Sequence, residues 1–341
     1  MSEPAEIRFR RVMDGTDRSA VAAMLRGAAA CAEPVYATAM RARNVIIRGH
    51  RLGRPTISVG NITTGGTGKT PVVLWLASSL LGAGRKPAVL MRGYKSLDGI
   101  SDEQTVLARG LGDSVPLIAN PDRRAGAAAA IASAPQTDLF ILDDGMQHRR
   151  VARDFELVLI NAAEPFGLGR VFPRGFLREP LSGLGRADAL VVTHADEVDA
   201  DRLDQIERAV RRYNPTAPIF RADHVINGIE GLEHKPFFAF CGIGSPESFF
   251  SQLAGRGNCV GRRAFADHHH YSAADLADLN EAARSAGAAI LVTTEKDWAK
   301  LSRLPPTADG LPTISAGLCI HFHGDHESQL LERIKRVIDE R

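Results

Sequence analysis

The stretch Thr56-Ile57-Ser58-Val59-Gly60-Asn61-Ile62-Thr63-Thr64-Gly65-Gly66-Thr67-Gly68-Lys69-Thr70-Pro71 decides the fold class. Its β-branched start predicts a strand over residues 56–59, and the apolar pattern after the glycines predicts a helix over 68–81. A glycine-rich turn between a strand and a helix is the setting in which backbone N–H groups converge on phosphate oxygens. Thr63, Gly65, Gly66, Thr67, Gly68, Lys69 and Thr70 are therefore the candidate nucleotide-binding residues. Lys69 would reach the β and γ phosphates, and the Thr70 hydroxyl would ligate Mg²⁺. Pro71 suits a first helical turn, where its missing donor costs little. The first glycine of G-x-x-x-x-G-K-[ST] falls on Thr63.

Outward from this loop, short β-branched runs alternate with helical patterns, the mark of a parallel sheet with helices on both faces. Strands are expected at 87–91, 115–119, 139–142, 157–160 and 189–193, and helices at 123–134 and 202–213. After Pro218 a smaller α/β pattern begins, with strands at 237–241 and 289–293 and helices at 246–253 and 272–286. Extended segments at 219–229 and 313–322 flank it. The expected architecture is α/β: a phosphate-loop NTPase-type domain over 1–217, a linker strand over 218–232 and a smaller α/β domain over 233–310. A returning linker strand over 311–324 and a C-terminal helix over 325–341, packed on the first domain, complete it.

A chain of 341 residues with 44% hydrophobic and 24% charged residues is composed like an ordinary globular protein, which argues against extensive disorder. Its four cysteines lie far apart without a C-x-x-C pair, so neither a zinc ribbon nor a disulfide framework is implied, and a reducing cytoplasm is the expected compartment. No apolar run reaches the length of a membrane span. The net charge of +2 conceals an asymmetry, because no acidic residue occurs between Glu33 and Asp98 while ten lysines and arginines do. Such a stretch attracts phosphates, anionic lipid head groups or nucleic acid, or forms a solvated basic face. Nucleic acid is not expected, since no aromatic-interleaved basic motif is present and Trp75 and Trp298 fall in predicted helices.

Asp143 and Asp144 end the apolar run 139–142, at the strand edge where ligands of such sheets bind. A carboxylate there can hold the metal of a phosphate-loop enzyme; the alternative is a simple Asp-Asp-Gly turn.

Further strings carry a resemblance to a known family. They are Ser58-Val59-Gly60-Asn61 leading into GGTGKTP, Arg92-Gly93-Tyr94, Asp102-Glu103, DDGMQHRR over 143–150, LREPL over 177–181, ADHHHY over 266–271 and TEKDWAKL over 294–301. In this order the chain resembles the lipid A 4′-kinases, or tetraacyldisaccharide 4′-kinases, whose loop likewise lacks a glycine at the Thr63 position. Met146 stands where that family usually has Phe, and Lys95 where Gly often follows RGY. The resemblance implies transfer of the ATP γ-phosphoryl group to the 4′-hydroxyl of an acylated glucosamine disaccharide 1-phosphate, with Mg²⁺, in a Gram-negative bacterium. By the same resemblance Asp102 is the catalytic base and His268 its partner from the second domain, assembled when the cleft closes. Asp143 is the metal ligand beside Thr70, and Glu103, Asp144, Gln147, Arg178 and Glu179 take supporting roles. A lipid substrate places the enzyme peripherally on the cytoplasmic face of the inner membrane; no protein partner is implied. The apolar residues 21–25 and 35–40, followed by Arg41, Arg43, Arg48, Arg51 and Arg54, are the expected docking segment, with a core helix as the alternative.

Two other functions fit parts of the sequence. Thr193-His194-Ala195-Asp196 approaches the guanine-reading [NT]-K-x-D string of GTPases, with His194 in place of the lysine. A partner-activated ATPase is the other. Two histidine groups raise the question of a metal: on a strand, adjacent His268, His269 and His270 would alternate in direction and could not share one ion. His321, His323 and His326 read as a fortuitous patch or a weak metal site.

Overall fold

The computed structural model describes residues 5–93, 101–244, 246–267, 269–302, 304 and 310–341. By its internal contacts the chain forms two units, one of Met1–Gly93, Leu111–Asp223 and Ile320–Arg341, the other of Tyr94–Gly110 and His224–Cys319.

In the first unit, helices α1 (Ala5–Met13) and α2 (Ala20–Ile46) precede strand β1 (Thr56–Asn61), helix α3 (Lys69–Gly82) and strand β2 (Pro87–Met91). Helix α4 (Asp102–Leu111) belongs mostly to the second unit. The first unit resumes with β3 (Leu117–Ala119), α5 (Arg123–Ser133), β4 (Leu139–Asp143), β5 (Phe155–Asn161), β6 (Ala189–Thr193) and α6 (Ala200–Arg211). Strand β7 (Ile219–Asn227) carries the chain out of this unit.

The strand order here is β3-β2-β4-β1-β5-β6-β7, with every pairing parallel. Strands β1, β2, β4 and β6 are buried at every residue, as parallel strands covered on both faces must be, which is why they read as continuous apolar runs. The chain leaves β1 and β4, neighbours in the middle of this sheet, at the same carboxyl edge, where open α/β sheets bind ligands.

The second unit contains β8 (Pro236–Cys241), α7 (Pro246–Leu253), β9 (Asn258–Ala264), α8 (Ala273–Ser285), β10 (Ile290–Thr294), α9 (Glu295–Leu301) and most of β11 (Thr313–Phe322), in strand order β11-β10-β8-β9. Alternate residues of β8 feed two cores, Phe237, Ala239 and Cys241 packing with Phe249 and Leu253, and Phe238 and Phe240 with Tyr271 and Leu279. Helix α10 (His326–Asp339) returns to the first unit, where Glu327 accepts a hydrogen bond from the Trp75 indole at 2.7 Å.

Several elements differ from the sequence expectation. Residues 101–110, expected within the first domain, pack with the second unit. Helix α4, which begins at Asp102, is not among the expected helices; Ser101 accepts from the Gln104 N–H at 3.2 Å, the start signal of that helix. Strand β9 was not expected, because it lies at the sheet edge and Arg262 and Arg263 break the apolar pattern.

Candidate active site

The loop after β1 turns into α3 through two glycines with positive φ, Gly65 at 119° and Gly68 at 71°. Gly68 is the N-cap of α3, and no acidic residue occupies the first turn, so the helix terminus presents free donors and positive potential. The loop is held from behind. The Asn61 amide donates to the Thr63 carbonyl at 2.8 Å, the Asn161 amide to the Gly66 carbonyl at 3.1 Å and the Thr193 hydroxyl to the Thr67 carbonyl at 3.2 Å. The Thr64 N–H is also engaged, donating to the Phe176 carbonyl at 2.7 Å, so the donors for an anion are those of the glycine turn and the head of α3. Thr67 is buried, and its hydroxyl has no hydrogen-bond partner among the described residues.

The segment after β4 lies directly over β1. A Cβ at Gly60 would meet Met146 at 2.6 Å, and one at Gly145 would run into the Ser58 side chain, so both positions require glycine. Asp144 takes a left-handed φ of 53° that turns the chain back at this crossing.

The Lys69 ammonium lies between Asn61 Oδ1 at 3.2 Å and Asp144 Oδ1 at 3.6 Å. Arg178 Nη1 donates to both Asp144 oxygens, at 2.9 and 2.8 Å. Burial alone would raise the Asp144 pKa; the nearby Lys69 and Arg178 charges and their hydrogen bonds outweigh it and hold the carboxyl below its usual range.

Behind this group, the Gln147 amide donates to the Asn61 carbonyl at 2.9 Å and to Glu179 Oε1 at 3.0 Å. Glu179 is fully buried and also accepts from Arg186 and Asn44, each at 2.9 Å. Helix α2 is thereby tied to the site: Asn44 reaches Glu179, Arg43 donates to the Gln147 carbonyl at 3.0 Å, and the Tyr36 hydroxyl donates to the Arg178 carbonyl at 3.1 Å. Asn61, Asn44 and Arg186 were not among the expected site residues. Asn61 stood inside a quoted motif; the other two carry no local signal.

Asp143 pairs in register with Val59 at the carboxyl end of β4, and its backbone carbonyl accepts from the buried Arg123 at 3.4 Å. The Thr70 hydroxyl and a carboxylate at this edge are hard oxygen donors of the kind Mg²⁺ takes, and that ion needs only one or two protein ligands when phosphates and water complete its shell. The donor set fits the ion.

His148, next along this segment, has its pKa lowered to about 4 by burial and then by Arg123, Arg153 and Arg150. The unfolded chain, with an ordinary value of 6.5, binds more protons between these limits, so stability falls as pH drops from about 6.5 towards 4. His148→Gln should lose less stability over that interval than the wild type, read as urea midpoints at pH 7 and pH 5. Parallel losses in the two proteins would show that His148 is not the cause.

In the second unit, Lys300 Nζ lies 3.4 Å from Asp102 Oδ2, and Lys296 lies 3.8 Å from Glu103. Residue 268 and residues 94–100, which include Tyr94 and Lys95, lie outside the described residues. His269 and His270 are in irregular chain after β9 and not on a strand; His269 stacks on Phe265 and lies 3.4 Å from Asp275. In the first unit His323 contacts Asp223 at 2.7 Å and His326 Nδ1 accepts from the Arg221 N–H at 2.9 Å, so both pin α10 to β7. Among the described residues no group of three His, Cys, Asp or Glu side chains is arranged to hold a metal ion.

A parallel sheet, a glycine loop leading through Lys69 and Thr70 into a helix, and carboxylates ending the adjacent strand define a phosphate-loop nucleotide-dependent enzyme. The family model described as tetraacyldisaccharide-1-P 4′-kinase matches residues 23–338. A tetraacyldisaccharide 4′-kinase of Halothermothrix orenii is 37% identical over 287 residues, 72% of this chain and 74% of that one. One from Pelobacter propionicus is 37% identical over 319 residues, 86% of this chain and 88% of that one. The structure of the "apo" form of LpxK from Aquifex aeolicus in complex with ATP superposes with a TM-score of 0.71 at 25% identity, covering 92% of this chain and 99% of that chain. The chain belongs to the tetraacyldisaccharide 4′-kinase family.

Proposed function

We propose that the protein transfers the γ-phosphoryl group of ATP to the 4′-hydroxyl of a tetraacyldisaccharide 1-phosphate. The observation that carries this reading is the Lys69-Asn61-Asp144-Arg178 cluster on the phosphate loop of a chain matched to its family over 23–338. Phosphoryl transfer asks little covalent chemistry of a protein; it needs alignment, charge neutralisation and a base for the attacking hydroxyl. The loop N–H groups and Lys69 bind and orient the phosphates, and Asp144 with Asn61 holds the Lys69 ammonium at a defined place. Arg178 keeps Asp144 ionised and fixed. Thr70 and Asp143 would hold Mg²⁺, which supplies neutralising charge on the phosphates when bound. Asp102 takes the proton from the sugar hydroxyl, and His268 is its proposed partner. Incubation with ATP, Mg²⁺ and tetraacyldisaccharide 1-phosphate in detergent, with mass spectrometry of the lipid, tests the reaction: one added phosphate supports it. Unchanged lipid with ATP turnover driven by a protein instead would favour the partner-activated ATPase.

A kinase acting on a four-chain lipid must meet it at a bilayer, and α2 supports docking there. The helix buries Ala22, Ala29, Ala37 and Met40 and leaves Val21, Met24, Leu25, Val35, Val45 and Ile46 exposed; at 3.6 residues per turn all of these but Val45 share one stripe, apart from the buried one. Apart from Met40, these large apolar residues face away from the core, which favours the docking reading over the core-helix alternative. Arg43 turns inward to Gln147, whereas Arg41, Arg48, Arg51 and Arg54 are exposed. No helix among the described residues is long and apolar enough to cross a membrane. Each basic residue near an anionic leaflet contributes about 1 kcal/mol, so four with an apolar stripe support reversible binding. Flotation with anionic vesicles should be lost when these four arginines become Gln and Val21, Met24, Leu25 and Val35 become Ser. Unchanged flotation of that variant would remove α2 as the docking element.

A further inference from the structure

We infer that Lys300 is a positioning residue for phosphoryl transfer, holding the Asp102 carboxylate from a charge anchored on the buried Asp297. This inference rests on the reading of Asp102 as the base. It accounts for the TEKDWAKL string, to which the proposed reaction gives no role.

The anchor is Asp297, whose side chain is wholly buried. Its Oδ2 accepts from the Gly242 N–H at 2.9 Å, in the turn that leaves β8, and from the Thr294 hydroxyl at 2.7 Å. Thr294 in turn caps α9 by accepting from the Asp297 N–H at 3.1 Å. The other oxygen, Oδ1, has no hydrogen bond among the described residues and lies 3.5 Å from the Lys300 ammonium. A buried carboxylate without a counter-charge is strongly disfavoured, so Asp297 holds the Lys300 cation in the interior. The Lys300 side chain is 11% exposed and spans to Asp102 Oδ2 at 3.4 Å.

Helices α9 and α4 are thereby joined by a cation shared between two carboxylates, one fixed by packing and one placed at the start of its helix. The arrangement suits a base. An opposite charge at this distance favours the ionised carboxylate, the form that accepts the hydroxyl proton. When the proton moves from the sugar oxygen to Asp102, that pair weakens, yet the ammonium keeps its partner in Asp297 and is never left unpaired. Because the anchor is buried, the geometry is set before the substrate arrives and costs no rearrangement during the reaction.

The test uses the full-length enzyme with ATP and tetraacyldisaccharide 1-phosphate in detergent. Lys300→Gln keeps a donor for Asp297 and removes the charge; it should lower kcat roughly ten- to a hundredfold with the KM for ATP unchanged. Lys300→Arg should recover most of the loss. In an Asp102→Asn background, Lys300→Gln should cause no further loss, since its effect passes through Asp102. If Lys300→Gln does not fold, the pair Asp297→Asn with Lys300→Met removes both buried charges together and should show the same fall in kcat. Wild-type kcat in the folded variant, or an undiminished loss in the Asp102→Asn background, overturns the positioning role. Wild-type kcat in Asp102→Asn alone overturns the base assignment and this inference with it, while an inactive Asp102→Asn beside a fully active Lys300→Gln overturns only the inference.

Discussion

Replacing Lys69 with Ala is expected to lower kcat by on the order of 10²–10³, with folding intact. The ammonium lies 3.2 Å from Asn61 and 3.6 Å from Asp144, at the start of α3, where a phosphate chain on the loop would be met by its charge. Folding should survive because Asp144 keeps Arg178 at 2.8 Å when Lys69 is removed, so no carboxylate is left without a cation. Thr70→Ala should show a comparable loss that grows as Mg²⁺ is lowered, since its hydroxyl is the proposed metal ligand and not a charge. The measurement is phosphate transfer to the lipid, with circular dichroism to confirm the fold. A Lys69→Ala enzyme that turns over at the wild-type rate would mean that the loop does not carry the transferred phosphate.

Asp102→Ala should reduce kcat by about 10²–10⁴ while the KM for ATP stays near its wild-type value, because a general base acts on the proton and not on nucleotide binding. Asp143→Ala makes the contrast. Its carboxylate ends β4 at the edge shared with the phosphate loop, so its loss should weaken nucleotide binding and raise the Mg²⁺ needed for half-maximal rate. The two profiles separate base from metal ligand. Equal weakening of nucleotide binding in both variants would count against Asp102 as the base.

The phosphate loop and its sheet were legible because their signals are local. Residues 87–91 and 189–193 are strands buried throughout and almost wholly apolar, as parallel strands covered on both faces must be, and the expected bounds match the observed ones. Glycines at 65 and 68 sit where the backbone needs positive φ, and Lys69 and Thr70 follow at the head of the helix. Chemistry confined to one turn of chain can be read from the order of residues alone.

What only the tertiary structure decided depends on residues far apart in the chain. Whether α2 turns its alanines or its valines inward is settled by what it packs against, and Asn44 meets Glu179 across 135 positions of sequence. Arg43 cannot be told from Arg41 by its neighbours, yet one binds the Gln147 carbonyl and the other is exposed. Helix α4 follows the strands of the first unit in sequence but packs with the second, and Asp102 meets a lysine almost two hundred positions later. Local propensity specifies which segments become strand, loop or helix. The partner of a buried charge is set by the burial itself, because Asp297 must have a cation once it leaves water, and only the folded chain shows that Lys300 supplies it.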